Sequence, residues 1–254
     1  MRLARHMIEK ADNNNSRELL NFLVELRSRL IAALVVLFVL FAVFFYYANQ
    51  LYTLLALPLL RYLPQGHLIA TQIVSPFFVP VRLAFMASLL LAMPFILYQV
   101  WAFVSPALYG HERRLIWPFI LMSTFLFYSG ILFAYFVIFP MLFHFLSGIA
   151  PEGVVLSPDI SEYLDFTIKL LLIFGTLFEI PIIMVLLVSA RLVSRAHFIK
   201  WRPYAIVGAF VIGMLLAPPD VLSQTILAIP VWLLYETGIL MTRFVGQYDK
   251  KIKC

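Results

Sequence analysis

The chain has 254 residues, 63% of them hydrophobic and 13% charged, with mean hydropathy +0.95 and a formal net charge of +6. Soluble domains carry about 45–50% apolar and about 25% charged residues, so a soluble globular class is excluded. The apolar residues form continuous runs such as "LIAALVVLFVLFAVFFYYA" (30–48), not alternating segments of about ten residues. That pattern excludes a transmembrane barrel and predicts an all-α membrane protein.

In chain order, residues 1–29 form a polar N-terminal segment with no cleavage motif after the first apolar run, so the first span is expected to stay as an anchor. Within it, "SRELLNFLVELRSRL" (16–30) places Leu19, Phe22, Leu23, Leu26 and Leu30 on one helical face. This reads as an amphipathic helix on the membrane surface or as an extended start of the first span. Spans are predicted near 30–48, 77–101, 116–140, 164–189, 203–217 and 222–241, followed by a tail over 242–254. Pro94, Pro118, Pro140, Pro181 and Pro230 lie within or at the ends of these spans, where each frees a carbonyl and permits a bend. The fifth span is short. Fifteen helical residues rise roughly 22 Å against a hydrocarbon core of about 30 Å, and the Pro218-Pro219-Asp220 stretch ends it. Such a length suits a protein that weakens the bilayer locally.

Basic residues set the orientation. The N-terminal segment, the loop with Arg113 and Arg114, the loop around Lys200 and the C-terminal tail hold sixteen Lys and Arg, and the opposite loops offer Arg61 alone. Both termini and the "GHERR" loop are therefore placed in the cytoplasm. Confined to short loops, these bases read as topogenic and lipid-headgroup contacts, not as a nucleic-acid surface. Cys254 is the only cysteine and the five histidines are scattered. No disulfide, metal site or cofactor is expected.

Three acids stand out. Glu179 lies deep in the fourth span, where an ionisable side chain costs about 2.5–3.5 kcal/mol on insertion scales. Lys169, ten residues earlier, is roughly 15 Å away along the helix. Glu179 therefore reads as a polar cavity residue or as one end of a buried hydrogen bond. Glu25 and Glu112 lie on the cytoplasmic side, each flanked by arginines. Local ion pairing is one reading of them. The other is capture of a cationic, arginine-bearing ligand, because a carboxylate takes a guanidinium through two parallel hydrogen bonds that lysine cannot reproduce.

The segments "NFLVELRSRL" (21–30), "SPFFVPVRLAF" (75–85), "PFILYQVWAFVSPALYGHERR" (94–114), "FEIP" (178–181) and "GMLLAPPDVLSQTILAIP" (213–230) resemble the TatC family of the bacterial twin-arginine translocase. The resemblance covers about residues 19–244. It implies six helices in a concave, cupped arrangement in the inner membrane, and a receptor for the paired arginines of signal peptides on folded export substrates. It implies a signal-peptide site at Glu25, Arg27, Phe103, Glu112 and Arg113, with Glu179 as an intramembrane acid on the concave surface. It also implies docking of the single-span TatA and TatB subunits near Met214 and Gln224, subunit contacts around Pro58, self-association in a multimeric receptor complex, and energy from the proton-motive force. Ala217 stands where the pattern often has threonine, which removes a hydroxyl from the docking cluster. A proton-coupled transporter using Glu179 is the alternative, without an inverted repeat to support it. No Ser/His pair, "HExxH" or paired intramembrane aspartates point to an enzyme.

Overall fold

The computed structural model describes residues 2–48, 50–51, 75–108, 116–149, 159–216 and 220–251. These residues are helical almost throughout. The elements are α1 (Arg2–Tyr46), α2 (Ser75–Leu108), α3 (Ile116–Phe133), a π-helical turn (Ala134–Ile138), α4 (Phe139–Ile149), α5 (Ile160–Leu177), α6 (Ile180–Ser189), α7 (Arg195–Lys200), α8 (Arg202–Leu216) and α9 (Val221–Lys251). Among the described residues, five stretches are long and apolar enough to cross a bilayer: Leu23–Tyr46, Phe77–Phe103, Trp117–Phe145, Ser161–Ser189 and Val221–Arg243. Helix α8 is apolar but shorter. The chain is an all-α membrane protein. Helix α1 crosses the 29/30 boundary without interruption, so segment and span share one helix.

Proline positions explain where the long spans are broken. Pro118, Pro181 and Pro203 fall in the first turns of α3, α6 and α8, where an absent N–H costs no helical bond. The third span instead carries a π turn just before Pro140, with Phe139 N–H donating to Ala134 O. One extra residue in the turn shifts the hydrogen-bond ladder at the point where the proline ring cannot donate. The fourth span is broken between α5 and α6. There Glu179 N–H donates to Thr176 O at 3.1 Å, a tightened turn, and Pro181 follows. Asp159 caps the start of α5, its carboxylate accepting from Ser161 N–H at 2.7 Å.

Helix α1 packs on α2, α2 on α3 and α5, and α3 on α5; α6 and α8 pack on α9. The main core joins Leu83 and Met86 of α2, Ile138 and Phe139 at the π turn, Leu170 and Phe174 of α5, and Leu227 of α9. Glycines let helices approach closely, Gly130 and Gly238 among them. A Cβ on Gly130 would lie 2.7 Å from the Phe174 carbonyl oxygen and 2.8 Å from Phe178 Cγ, so α3 meets α5 almost backbone to backbone. A Cβ on Gly238 would lie 2.5 Å from Met184 Sδ and 3.2 Å from Pro181 Cα, which puts α9 directly over the break in the fourth span. At the start of α8, Arg202 pairs with Glu236 in the middle of α9 at 2.8 Å, and Tyr235 donates to Phe198 O of α7. These contacts fasten the α7–α8 hairpin to α9.

Candidate functional site

Glu25 and Arg29 stand one turn apart on α1. Glu25 Oε1 accepts from both Arg29 Nε, at 3.0 Å, and Arg29 Nη2, at 2.6 Å. The third arm of the same guanidinium, Nη1, donates to Gln99 Oε1 of α2 at 3.2 Å. The planar fork thus bridges two helices, which a lysine ammonium could not do in this geometry. Phe103 lies one turn beyond Gln99, on the same face of α2. The structure therefore brings the neighbourhoods of Glu25 and Phe103 together, and Arg27 is exposed beside them on α1. Glu112 and Arg113 lie outside the described residues, as does Pro58. Local ion pairing of Glu25 with a flanking arginine was one sequence reading, and Arg29 makes such a pair; Gln99, the partner of Arg29 on α2, was not read. A contact 70 positions apart leaves no local periodicity to detect.

Glu179 is buried at 5% exposure, at the break between α5 and α6. Its side chain does not cap α6. It crosses instead to α3, where Ser123 Oγ–H donates to Oε2 at 2.5 Å. Trp101 of α2 donates its indole N–H to the same Ser123 oxygen at 3.0 Å. Oε1 is buried and has no hydrogen-bond partner among the described residues. Trp101, Ile120, Ile182 and Leu186 form an apolar cluster around this chain of bonds. Glu179 thus holds a buried hydrogen bond across to α3. Lys169 is exposed on α5, and the acid one turn before it, Asp165, accepts from Arg82 Nη1 of α2 at 2.7 and 2.8 Å. That ion pair was not read from the sequence either.

Met214 and Gln224 lie where α8 ends and α9 begins. A Cβ on neighbouring Gly213 would sit 2.9 Å from the Gln224 carbonyl oxygen, so the two helices touch at this point. Met214 is 55% exposed and Gln224 half-buried. Asp220 fixes the start of α9 by accepting from Ser223 N–H at 2.7 Å. Ala217 lies outside the described residues. Further along the same helix pair, Ile206, Ala209 and Phe210 of α8 and Ala228, Ile229 and Trp232 of α9 line an apolar groove of about 250 Å³.

A helical bundle with a carboxylate–guanidinium bridge at one end, a broken span and one short apolar helix defines a polytopic membrane protein with polar contacts between its helices. The comparisons name the family. Residues 21–230 match the family profile described as "TatC: Sec-independent protein translocase protein (TatC)". The chain is 51% identical over 231 residues to the Sec-independent protein translocase protein TatC of Escherichia coli, covering 91% of this chain and 90% of that protein. It is 47% identical over 234 residues to the protein of the same name from Azotobacter chroococcum, covering 92% of each. A crystal structure of the twin arginine translocase receptor TatC matches with a TM-score of 0.81 and 37% identity, over 89% of this chain and 99% of that one.

The chain belongs to the TatC family and is a subunit of a twin-arginine protein translocase. These relatives favour that reading over a proton-coupled transporter working through Glu179.

Proposed function

We propose that this chain is the translocase subunit that receives twin-arginine signal peptides at the cytoplasmic side of the inner membrane. Glu25, Arg27, Phe103, Glu112 and Arg113 form the receiving surface, and both termini lie on that side. The observation that carries this reading is the state of Glu25. A half-exposed carboxylate at the α1–α2 junction already holds a guanidinium through two N–H groups, the contact a substrate arginine would supply. A substrate arginine competes for Glu25 with Arg29, whose remaining arm stays on Gln99. An exposed i,i+4 pair is worth only about 0.3–0.5 kcal/mol, so the exchange is energetically open.

The α8–α9 junction at Met214 and Gln224, with the groove beside it, is the docking surface for the single-span TatA and TatB subunits. The region of Pro58 contributes to contacts between copies in the multimeric receptor complex. Passage of folded substrate draws on the proton-motive force, and the short α8 thins the bilayer around the complex.

The test is site-specific photocrosslinking of a signal peptide in inverted membranes, comparing twin-Arg with twin-Lys peptides on wild type, Glu25→Gln and Glu112→Gln. Crosslinking lost with twin-Lys and reduced about tenfold or more by each substitution is the expected result, the size of one charge-assisted hydrogen bond. Equal crosslinking throughout would reduce the loop and the start of α1 to topogenic, headgroup-bound segments.

A further inference from the structure

The bonds between Trp101, Ser123 and Glu179 form a chain in which each donor hands on to the next. An indole N–H donates and has no acceptor. Ser123 therefore accepts from Trp101, and its own hydroxyl proton points to Glu179 Oε2. Ser123 is fully buried, Trp101 7% exposed and Glu179 5% exposed, so none of the three can turn to water to replace a lost partner. The chain joins three spans in order, from α2 through α3 to the break in the fourth.

The two ends of this chain are unlike. Glu179 sits where the fourth span changes from α5 to α6, beside the tightened turn at Thr176 and Pro181. The break is pinned from both sides, by the close approach at Gly130 on α3 and at Gly238 on α9. Trp101 sits two residues before Phe103, on the segment of α2 that also carries Gln99. A shift of that end of α2 changes the Trp101–Ser123 distance. Because every member is buried, it also changes how the serine hydroxyl is oriented toward Glu179.

We propose that Trp101 and Ser123 are positioning residues for Glu179, and that their hydrogen-bond chain couples the arginine-recognition end of α2 to the break in the fourth span. This rests on the reading of Glu25 and Phe103 as part of the recognition surface. The coupling works through geometry. Engagement of a peptide beside Phe103 and Gln99 reorients the end of α2, the indole follows, and the turn at 178–181 tightens or loosens as Glu179 gains or loses its oriented donor.

Hydrogen–deuterium exchange of the 178–184 amides tests it, on the full translocase complex in lipid nanodiscs with and without a twin-Arg peptide. The variants are Trp101→Phe, Ser123→Ala, their combination, and Ser123→Thr, which keeps the hydroxyl. In wild type the peptide is expected to change exchange in this segment. Ser123→Ala and Trp101→Phe should each raise basal exchange by about tenfold, the effect of one hydrogen bond, and abolish the response. The combination should do no more than either alone, as members of one network do. Ser123→Thr should behave as wild type. A wild type that does not respond, or variants that respond like wild type, would overturn the proposal. If Trp101→Phe fails to accumulate, Ser123→Ala against Ser123→Thr decides alone. Twin-Arg against twin-Lys crosslinking on wild type is run in parallel. Discrimination there without an exchange response sinks the coupling and leaves recognition standing. Absent discrimination sinks recognition, while basal exchange in Ser123→Ala still tests the positioning.

Discussion

The fourth span and the first are built on opposite principles. Half of the most apolar eighteen-residue stretch of the fourth span is buried, and none of the corresponding stretch of the first. The fourth span is broken, glycine-tight on α3, and holds a buried acid. Helix α1 is unbroken and presents Leu34, Phe38 and Val39 outward, and α8 does the same with Val207 and Leu215. Water is not the alternative environment for these exposed side chains, so burial gains little hydrophobic energy and packing must come from close contact and interhelical bonds. The interior is where the chain fixes its own shape. The edge helices instead turn large apolar side chains outward.

The largest effect expected from this contrast is at Gly130. Substitution by alanine drives a methyl against the Phe174 carbonyl, which is backbone and cannot rotate away. We expect Gly130→Ala to destabilise by about 1–3 kcal/mol, the cost of overpacking a tight interior. The midpoint of thermal unfolding in detergent measures it, and an unchanged midpoint would mean that α3 and α5 are less tightly locked than their geometry says. Helix α8 should respond in function before stability. Lengthening it by about four leucines after Ile212 restores roughly 6 Å of span. Export of a folded substrate is then expected to fall while signal-peptide crosslinking persists; full export would remove bilayer thinning from the account.

The Arg82–Asp165 pair lies between these extremes, half-exposed yet joining α2 to the buried fourth span. Exposed pairs are worth about 0.2–1 kcal/mol in double-mutant cycles. Arg82→Gln and Asp165→Asn should each lower the unfolding midpoint slightly, with a coupling of that size between them. Additive losses would show that the two side chains act separately.

What the sequence disclosed follows the same division. Runs of apolar residues and prolines announce helices and their ends, because those depend on a residue and its near neighbours along the chain. Helix α8, with its fifteen residues from Arg202 to Leu216, was readable for that reason. So was an anomaly at Glu179, since an acid in an apolar run stands out without knowledge of its partner. Its partners were not readable. Ser123 is 56 positions away and is one of many serines a helix could carry. Gln99 and Arg29, like Arg82 and Asp165, meet only when helices pack, and one sequence has no periodicity that reports an interhelical pair. The amphipathic face of residues 16–30 suggested a helix on the membrane surface as readily as an extended span, because local pattern does not record whether a helix continues. The unbroken α1 records it.

The smallest effect separates the edge from the interior most cleanly. A Cβ on Gly208, in α8, meets nothing within 4 Å, whereas one on Gly130 meets backbone. In the isolated chain Gly208→Ala should therefore be neutral or stabilising, by up to about 0.5–1 kcal/mol, since alanine has less backbone freedom to lose in a helix. In the assembled translocase the same methyl tests what covers α8. Lipid tails yield to it, so export should stay at the wild-type level if this face of α8 meets only lipid. A partner helix that approaches backbone to backbone at a small residue does not yield. Export that falls while the isolated chain keeps its unfolding midpoint would locate a partner's backbone at Gly208, and would turn an apparently idle surface glycine into the edge counterpart of Gly130.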